Sequence, residues 1–486
     1  MQKITIEPVT RIEGHAKVTI HLNGKGKVEK AFMHVNEWRG FEKFTEGRPF
    51  FEMPQITPRI CGICPVSHHL SSAKACDRVV GVTPPRPAQL LRELMHMAQF
   101  IQSHSMHFFE LAGPDLLLGF DADPAIRNVV GVVQTNPDVA LKAVRLRAFG
   151  QDIIRKLGGK RIHPNHSIPG GVNAPLSLKD RDEILSQVDD MADVVKIAIT
   201  IAKGWYEKNM EVVNNFAVFP SGYMGLVDSQ GGLQLYDGVL RLVDSAGKKL
   251  EEFNPENYLD YIGEHVEDWS YLKFPFYLKM GWPKGTYRVG PLGRLNVADK
   301  INTPLANEEF KNFKALGGGK PVEGTLWYHY ARLIEDLYAI ERAKEILLDP
   351  DVLSTDLVTD YGGLSPGWLD HYFDLVLTGE GVGCIEAPRG TLFHHYKTDP
   401  NGMLTKVNLI VATGHNNWAM SNSVEMVAKA YVDGKKLTEG MLNRVEAAIR
   451  AYDPCLSCST HAVGAMPMVI EMVEPDGRVV DRIIRG

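Results

Sequence analysis

The sequence predicts an α-rich α+β protein built as one large unit, with long central helices and small antiparallel sheets. Three observations predict it. Helical periodicity runs through four long segments, from Pro85 to about Gly113, Asn136 to Leu157, Leu178 to about Phe216, and 324–348. Short alternating stretches rich in β-branched residues lie near both ends and between the helices. No repeat, low-complexity tract or obvious linker separates them, so helices and strands interleave. The 486 residues are 44% hydrophobic and 23% charged, ordinary for a globular protein with a large core. Length alone would allow two or three domains; the interleaving favours one.

In chain order, KITIEPV, HAKVTIHL and KVEKAFMHV within residues 3–36 read as antiparallel strands, with LNGKGK as a turn. RGFEKFTEGRPFFEMPQ reads as a short helix and loop. Pro65 suits the first position of a helix that SHHLSSAKACDRVVG continues. KRIHPNHSIPGGVNAP, dense in Pro, Gly and His, must be irregular. Residues 219–300 mix short strands with aromatic loops. GEGVGCIEAPRGTLFHHYKTDPNGMLTKVNLIVATG reads as strands joined at a PNG turn, followed by helices at 417–433 and 438–451. MPMVIEMV, EPDG and RVVDRII read as a terminal hairpin. GGGK at 317–320 lacks the spacing and preceding strand of a phosphate loop.

The chemistry gathers on cysteine. Of six cysteines, four form two C-x-x-C pairs at opposite ends of the chain, Cys61/Cys64 and Cys455/Cys458; Cys76 and Cys384 stand apart. Each spacing lets two sulfurs reach one metal, and four thiolates suit zinc, iron, copper(I) or nickel. Structural zinc is the plain alternative, but zinc modules are usually local and these pairs are not. Both pairs sit at predicted helix starts. Asp453 is expected as an N-cap with Pro454 as the first helical residue, placing Cys455 in a first turn where the helix dipole favours thiolate. Pro65 puts Cys64 at the cap of its own helix. His68 follows Cys64 by four residues and His461 follows Cys458 by three. His68 reads equally as a buried, satisfied imidazole; C-x-x-C-x-x-H is more ligand-like.

These residues resemble a known family. R-x-C-G-x-C-x-x-x-H from Arg59 and D-P-C-x-x-C-x-x-H from Asp453 are similar to the two signatures of the large subunit of nickel–iron hydrogenases. The resemblance spans the chain through EPVTRIEGH (7–15), RGFE (39–42), the segment from His163 to Gly171, and EAPRG (386–390). PFFEMP, RVGPLGRLNV and APRGTLFHHYKTD resemble most the cytoplasmic bidirectional, NAD-linked branch. The resemblance implies reversible cleavage of H2 to protons and electrons. It implies a nickel held by all four cysteines, with Cys64 and Cys458 also bridging an iron that carries carbon monoxide and cyanide. Cys61 and Cys455 would bind nickel alone. Glu13 matches the proton-relay glutamate, Arg389 and Pro388 the groups walling the metals, and Thr413 a hydroxyl donating to cyanide. Asp453 would pair with Arg389; an ion pair of Arg389 with Glu386 is the plain alternative. Glu42 and His461 match ligands of a separate divalent cation, usually magnesium. Ser103 stands where the periplasmic branch has aspartate, and that role is not carried over.

Too few cysteines remain for a four-thiolate iron–sulfur cluster, so another chain must carry the electrons. The resemblance implies a small iron–sulfur subunit, flavin- and NAD-binding diaphorase subunits, a nickel-insertion chaperone and an endopeptidase. That endopeptidase would cut after His461, dividing 1–461 from a removable extension, 462–486. Partners of the heterodisulfide-reductase or deazaflavin-reducing kind are the alternative acceptors. A zinc-stabilised module or a quinone-site scaffold subunit is the alternative outside the class. Net charge of −6 argues against nucleic acid as partner. Without an apolar run long enough to span a bilayer, an apolar leader segment or a twin arginine, the expected location is cytoplasmic.

Overall fold

A computed structural model describes residues 2–360, 377–460, 468–473 and 478–485. The N-terminal strands Gln2–Ile6, Lys17–Leu22 and Val28–His34 pair antiparallel in chain order. Their inward residues Val18, Ile20, Ala31 and Met33 join the main core. The helix Pro65–Val80 opens with Cys64 as N-cap and Pro65 at its first position, as the Cys-Pro step predicts.

Four long helices form the centre: Arg86–Met106, Pro137–Gly158, Leu178–Asn215 and Trp327–Leu348. Arg86–Met106 packs on Pro137–Gly158 and on Trp327–Leu348, which packs in turn on Leu178–Asn215. The expected helix from Pro85 to Gly113 is interrupted. A π-helical turn, His107–Ala112, follows Met106, and Gly113–Leu118 resumes the α-helix. Such a turn re-aims side chains that regular periodicity would bury elsewhere. Here His107 Nε2 meets the Arg450 carbonyl at 2.7 Å.

The sheets are small and almost wholly antiparallel, as expected; Tyr287–Arg288 pairs parallel to Gly222–Val227. The EGVGCIEA and GTLFHHYKT tracts form strands Glu380–Ala387 and Gly390–Thr398, joined through Pro400-Asn401-Gly402 to Leu404–Ile410. The helix Pro65–Val80 lies directly on the first of these strands. Two glycines permit it. A Cβ at Gly383 would stand 1.9 Å from the Ser71 carbonyl oxygen, and one at Gly381 2.2 Å from that of Ala75. Glycine inside a strand here marks close backbone approach. The terminal hairpin pairs Met468–Val473 with Val479–Arg485; its EPDG turn lies outside the described residues. Among the described residues no helix is long and apolar enough to cross a membrane.

Gly383→Ala should lower the unfolding midpoint, because overpacking costs about 1–3 kcal/mol or more. Gly204→Ala is its control. Beyond its chain neighbours and the backbone of its own helical turns, nothing lies within 4 Å of that Cβ position on helix Leu178–Asn215. That change should raise the midpoint, by up to about 1 kcal/mol of helix propensity. Thermal scans of both variants check the opposite signs.

Candidate metal centre

The first pair is built by a loop between two helical turns. The turn Thr57–Ile60 ends at Cys61, which is extended, and Cys64 caps the next helix. The backbone N–H groups of Ile63 and Cys64 point at Cys61 Sγ, at 3.2 and 3.3 Å. Gln99 and Gln102, one turn apart on Arg86–Met106, both donate to the Ile63 carbonyl at 2.9 and 2.7 Å. The loop therefore cannot shift without breaking buried amide contacts.

The second pair departs from expectation. Cys455, not Asp453, is the N-cap, and the helix is the short Leu456–Ser459. Asp453 has φ of 54°, in the left-handed region, whereas an N-cap is extended. Its carboxylate turns instead to Arg389, Oδ1 to Nη2 at 3.0 Å. The predicted Asp453–Arg389 pair forms; Glu386 pairs elsewhere, with Arg294.

The N-terminal segment closes on this second pair. Glu13 forms a parallel bridge with Cys455. The Leu456 N–H donates to the Glu13 carbonyl and the Ser457 N–H to Glu13 Oε2, both at 3.1 Å. Gly14 has φ of +80°, and a Cβ there would stand 2.8 Å from both Leu456 Cβ and Ser457 N. Only glycine gives both the left-handed turn and the close approach. The Cys455 N–H donates to Thr413 Oγ at 2.9 Å.

These contacts bring the four sulfurs together. Cys61 Sγ lies 3.2 Å from Cys455 Sγ, Cys64 Sγ 3.5 Å from Cys458 Sγ, and Cys455 Sγ 2.8 Å from Cys458 Sγ. All four are buried and lie within 4.8 Å of one another. Cys76 and Cys384 are buried apart from them. Burial raises the thiols of Cys455 and Cys458 well above the ordinary range. Burial acts on Cys61 too, but hydrogen bonds from the other three thiols and the Arg389 charge outweigh it and hold Cys61 well below. The donor set fits a soft divalent metal, which would replace the remaining thiol protons.

Arg389 is buried, and its Nη1 also meets Ser103 Oγ at 3.3 Å. Pro388 beside it is buried. Glu42, on the short helix Phe41–Thr45, accepts from the Leu409 N–H at 2.7 Å; burial lifts its carboxyl to about 7. The Arg39 N–H donates to the Thr460 carbonyl at 2.9 Å, tying the end of the second cysteine segment three residues before Glu42. His461 lies outside the described residues. His68 is buried, its Nδ1 3.1 Å from His394 Nε2, and burial lowers it to about 4, so the ring is neutral. Ser103, Gln99 and Gln102 are site residues that sequence reasoning missed or set aside. Their signal is a polar stripe at helical spacing, Arg92, His96, Gln99 and Ser103, on the helix Arg86–Met106.

One carboxylate braces both the Glu13 segment and the second cysteine segment. Asp115 pairs with Arg11 at 2.6 Å, two residues before Glu13, and with Arg450, three before Asp453. Asn443 also donates to it at 2.9 Å. Burial alone would raise Asp115, but the two arginines outweigh it and hold the carboxyl below its usual range. Its stabilisation is therefore complete above the ordinary carboxylate range and lost as pH falls through the depressed value. Asp115→Asn should cost about 3 kcal/mol near neutrality. The gap in unfolding midpoint between parent and variant should close toward strong acid. A gap unchanged with pH would exclude an ionic role for Asp115.

Comparison with known proteins is consistent along the chain. Residues 39–125 and 244–461 match the nickel-dependent hydrogenase family, and residues 3–38 match a family described as HoxL-like. The beta subunit of the NAD-reducing hydrogenase HoxS of Cupriavidus necator is 45% identical over the full length of both chains. The matching vhu subunit of the F420-non-reducing hydrogenase of Methanococcus voltae is 47% identical over 88% of this chain and 99% of that one. The crystal structure of an NAD+-reducing NiFe hydrogenase in the H2-reduced state superposes with a TM-score of 0.90 at 42% identity, over 95% of this chain and 100% of that one. The reduced Ni-Fe-Se hydrogenase of D. vulgaris Hildenborough shares the fold, with a TM-score of 0.74 at 23% identity. With four convergent thiols at its centre, this chain belongs to the nickel-dependent hydrogenases, as the catalytic large subunit of a NiFe enzyme acting on H2.

Proposed function

We propose that this subunit cleaves H2 reversibly and delivers the electrons, through a small iron–sulfur subunit, to a flavin-containing diaphorase that reduces NAD. The observation that carries the NAD linkage is the full-length likeness to the HoxS beta subunit, joined by the NAD+-reducing crystal structure. A second reading, delivery to an acceptor other than NAD, is favoured by the 47% identity to an F420-non-reducing hydrogenase subunit.

In this reading Cys61 and Cys455 would hold nickel alone, while Cys64 and Cys458 would hold both nickel and an iron bearing carbon monoxide and cyanide. The convergence of all four buried sulfurs to within 4.8 Å of one another supports a single shared centre. The bound nickel–iron centre supplies heterolytic splitting of H2. The residues of the chain move the proton and set the field. Glu13 takes up the proton released near Cys455. Its Oε2 is held by the Ser457 N–H, which fixes the carboxylate beside that cysteine. Arg389, kept in place by Asp453 and Ser103, presents a buried positive charge to the anionic site. Pro388 walls the pocket. Thr413 already accepts a hydrogen bond from Cys455, which leaves its hydroxyl proton for a cyanide acceptor. Glu42 and His461 hold magnesium or another divalent cation. The Arg39–Thr460 hydrogen bond, which brings the residue before His461 to the segment that carries Glu42, supports this. Residues 1–461 then act as one catalytic unit, and 462–486 is an extension removed after nickel insertion.

Metal analysis of the purified enzyme should find one nickel and about one iron per chain, while zinc alone would overturn the reading. NADH formation under H2 separates the two acceptor readings. Glu13→Gln should keep its metals yet slow H/D exchange by ~100-fold or more, the usual scale for loss of a positioned acid–base group. Exchange at the parent rate would reject the relay. The intact mass of active enzyme tests processing: retention of residue 486 would sink it.

A further inference from the structure

Arg294 lies in the segment RVGPLGRLNV, on the helix Gly290–Val297, whose first residue lies against the Arg389 backbone. It is fully buried, as are Glu335 and Glu386. All five of its N–H donors are used. Nε and Nη2 grip Glu335 Oε1 and Oε2, each at 2.6 Å, and Nη1 meets Glu386 Oε2 at 2.8 Å. The last two go to backbone: Nη1 to the Ala387 carbonyl at 2.8 Å and Nη2 to the Pro388 carbonyl at 3.1 Å. Those two carbonyls immediately precede Arg389.

Everything around this guanidinium is fixed in turn. Glu386 Oε1 accepts from Thr391 Oγ at 2.8 Å and from the Leu226 N–H at 3.2 Å. Glu335 Oε2 lies 3.0 Å from His104 Nε2, and His104 is the neighbour of Ser103, which touches Arg389. The backbone is packed to contact as well. A Cβ at Gly290 would stand 2.9 Å from the Arg389 carbonyl oxygen, and one at Gly390 2.2 Å from Val289 Cγ2.

Stability alone is a poor reason for such a cluster. Buried ion pairs are often replaceable by apolar side chains at no cost, and fixing a geometry is one use to which they are put. We propose that Arg294 is a positioning residue for Arg389: through the Ala387 and Pro388 carbonyls it sets where the Arg389 guanidinium stands over the four thiols. The inference rests on the role given to Arg389 above. Lysine cannot substitute, because one ammonium offers three donors from a single point where arginine spreads five over a planar fork.

The test uses the assembled, nickel-loaded enzyme. It reads H/D exchange per nickel, KM for H2, and the infrared bands of the carbon monoxide and cyanide ligands. Arg294→Lys should lower exchange by ~10-fold or more, on the scale of a sub-ångström to ångström misplacement, and should displace the bands without changing KM. Arg92→Lys is the control. Arg92 is equally buried and bound to Asp77 and to the Gly171 and Ile168 carbonyls, none of which adjoins Arg389. It should lose stability but keep rate and bands. Parental rate and bands in Arg294→Lys would overturn the proposal, as would equal changes in Arg92→Lys. If Arg294→Lys is recovered without nickel, Glu386→Gln, which loosens the same guanidinium, is read by the same two measures with the same outcomes. Arg389→Lys separates the layers. If its exchange is unchanged, the role of Arg389 itself fails; if it is slowed while Arg294→Lys is not, only the positioning fails.

Discussion

The structure depends on one constraint: sulfurs 394 residues apart in sequence must come within bonding reach of a single metal centre. Four buried thiols cannot attract one another enough to pay for that convergence. Backbone contacts do the joining. The Glu13–Leu456 and Arg39–Thr460 hydrogen bonds tie the N-terminal segments to the last cysteine segment. Gln99 and Gln102 pin the first loop from the centre of the molecule. The long helices between the pairs serve as the frame that keeps both loops still.

Burying a centre that carries anionic thiolates also demands buried positive charge. Five arginines, Arg92, Arg288, Arg294, Arg332 and Arg450, are among the largest fully buried side chains. Two of them reach the site indirectly. Arg450 works through Asp115, which also holds Arg11, so one carboxylate sets both the glutamate strand and the second cysteine segment. Arg294 works through the backbone in front of Arg389. The charges nearest the metal are therefore oriented by charges one layer out, and that outer layer is neutralised within itself.

Much of this was legible in the sequence because it is local. The Cys64-Pro65 step announces a helix start, PNG announces a turn, and long apolar periodicity marks the central helices. The helices Asn417–Tyr431 and Glu439–Arg450 fall where periodicity puts them. The family resemblance supplied the identities of the site residues, and the geometry of Glu13, Thr413, Arg389 and Asp453 agrees with their grouping. What was not legible is long-range or conformational. Asp-Pro before a cysteine looks like a capped helix, yet Asp453 is turned left-handed because its carboxylate is claimed by a residue 64 positions away. The π-helical turn at His107–Ala112 leaves no mark in apolar periodicity. Ser103 and Arg294 touch the site only through contacts that tertiary packing creates.

The far separation of the two cysteine pairs has a consequence in time. Chains emerge from the ribosome at about 5–20 residues per second. With Cys61 and Cys455 lying 394 positions apart, the first pair is made roughly 20–80 s before the second exists. Throughout that interval Cys61 and Cys64 are a dithiol waiting for partners, three residues apart and able to be oxidised. The surroundings must stay reducing for as long as translation takes, or the centre is lost before its last ligand is synthesised.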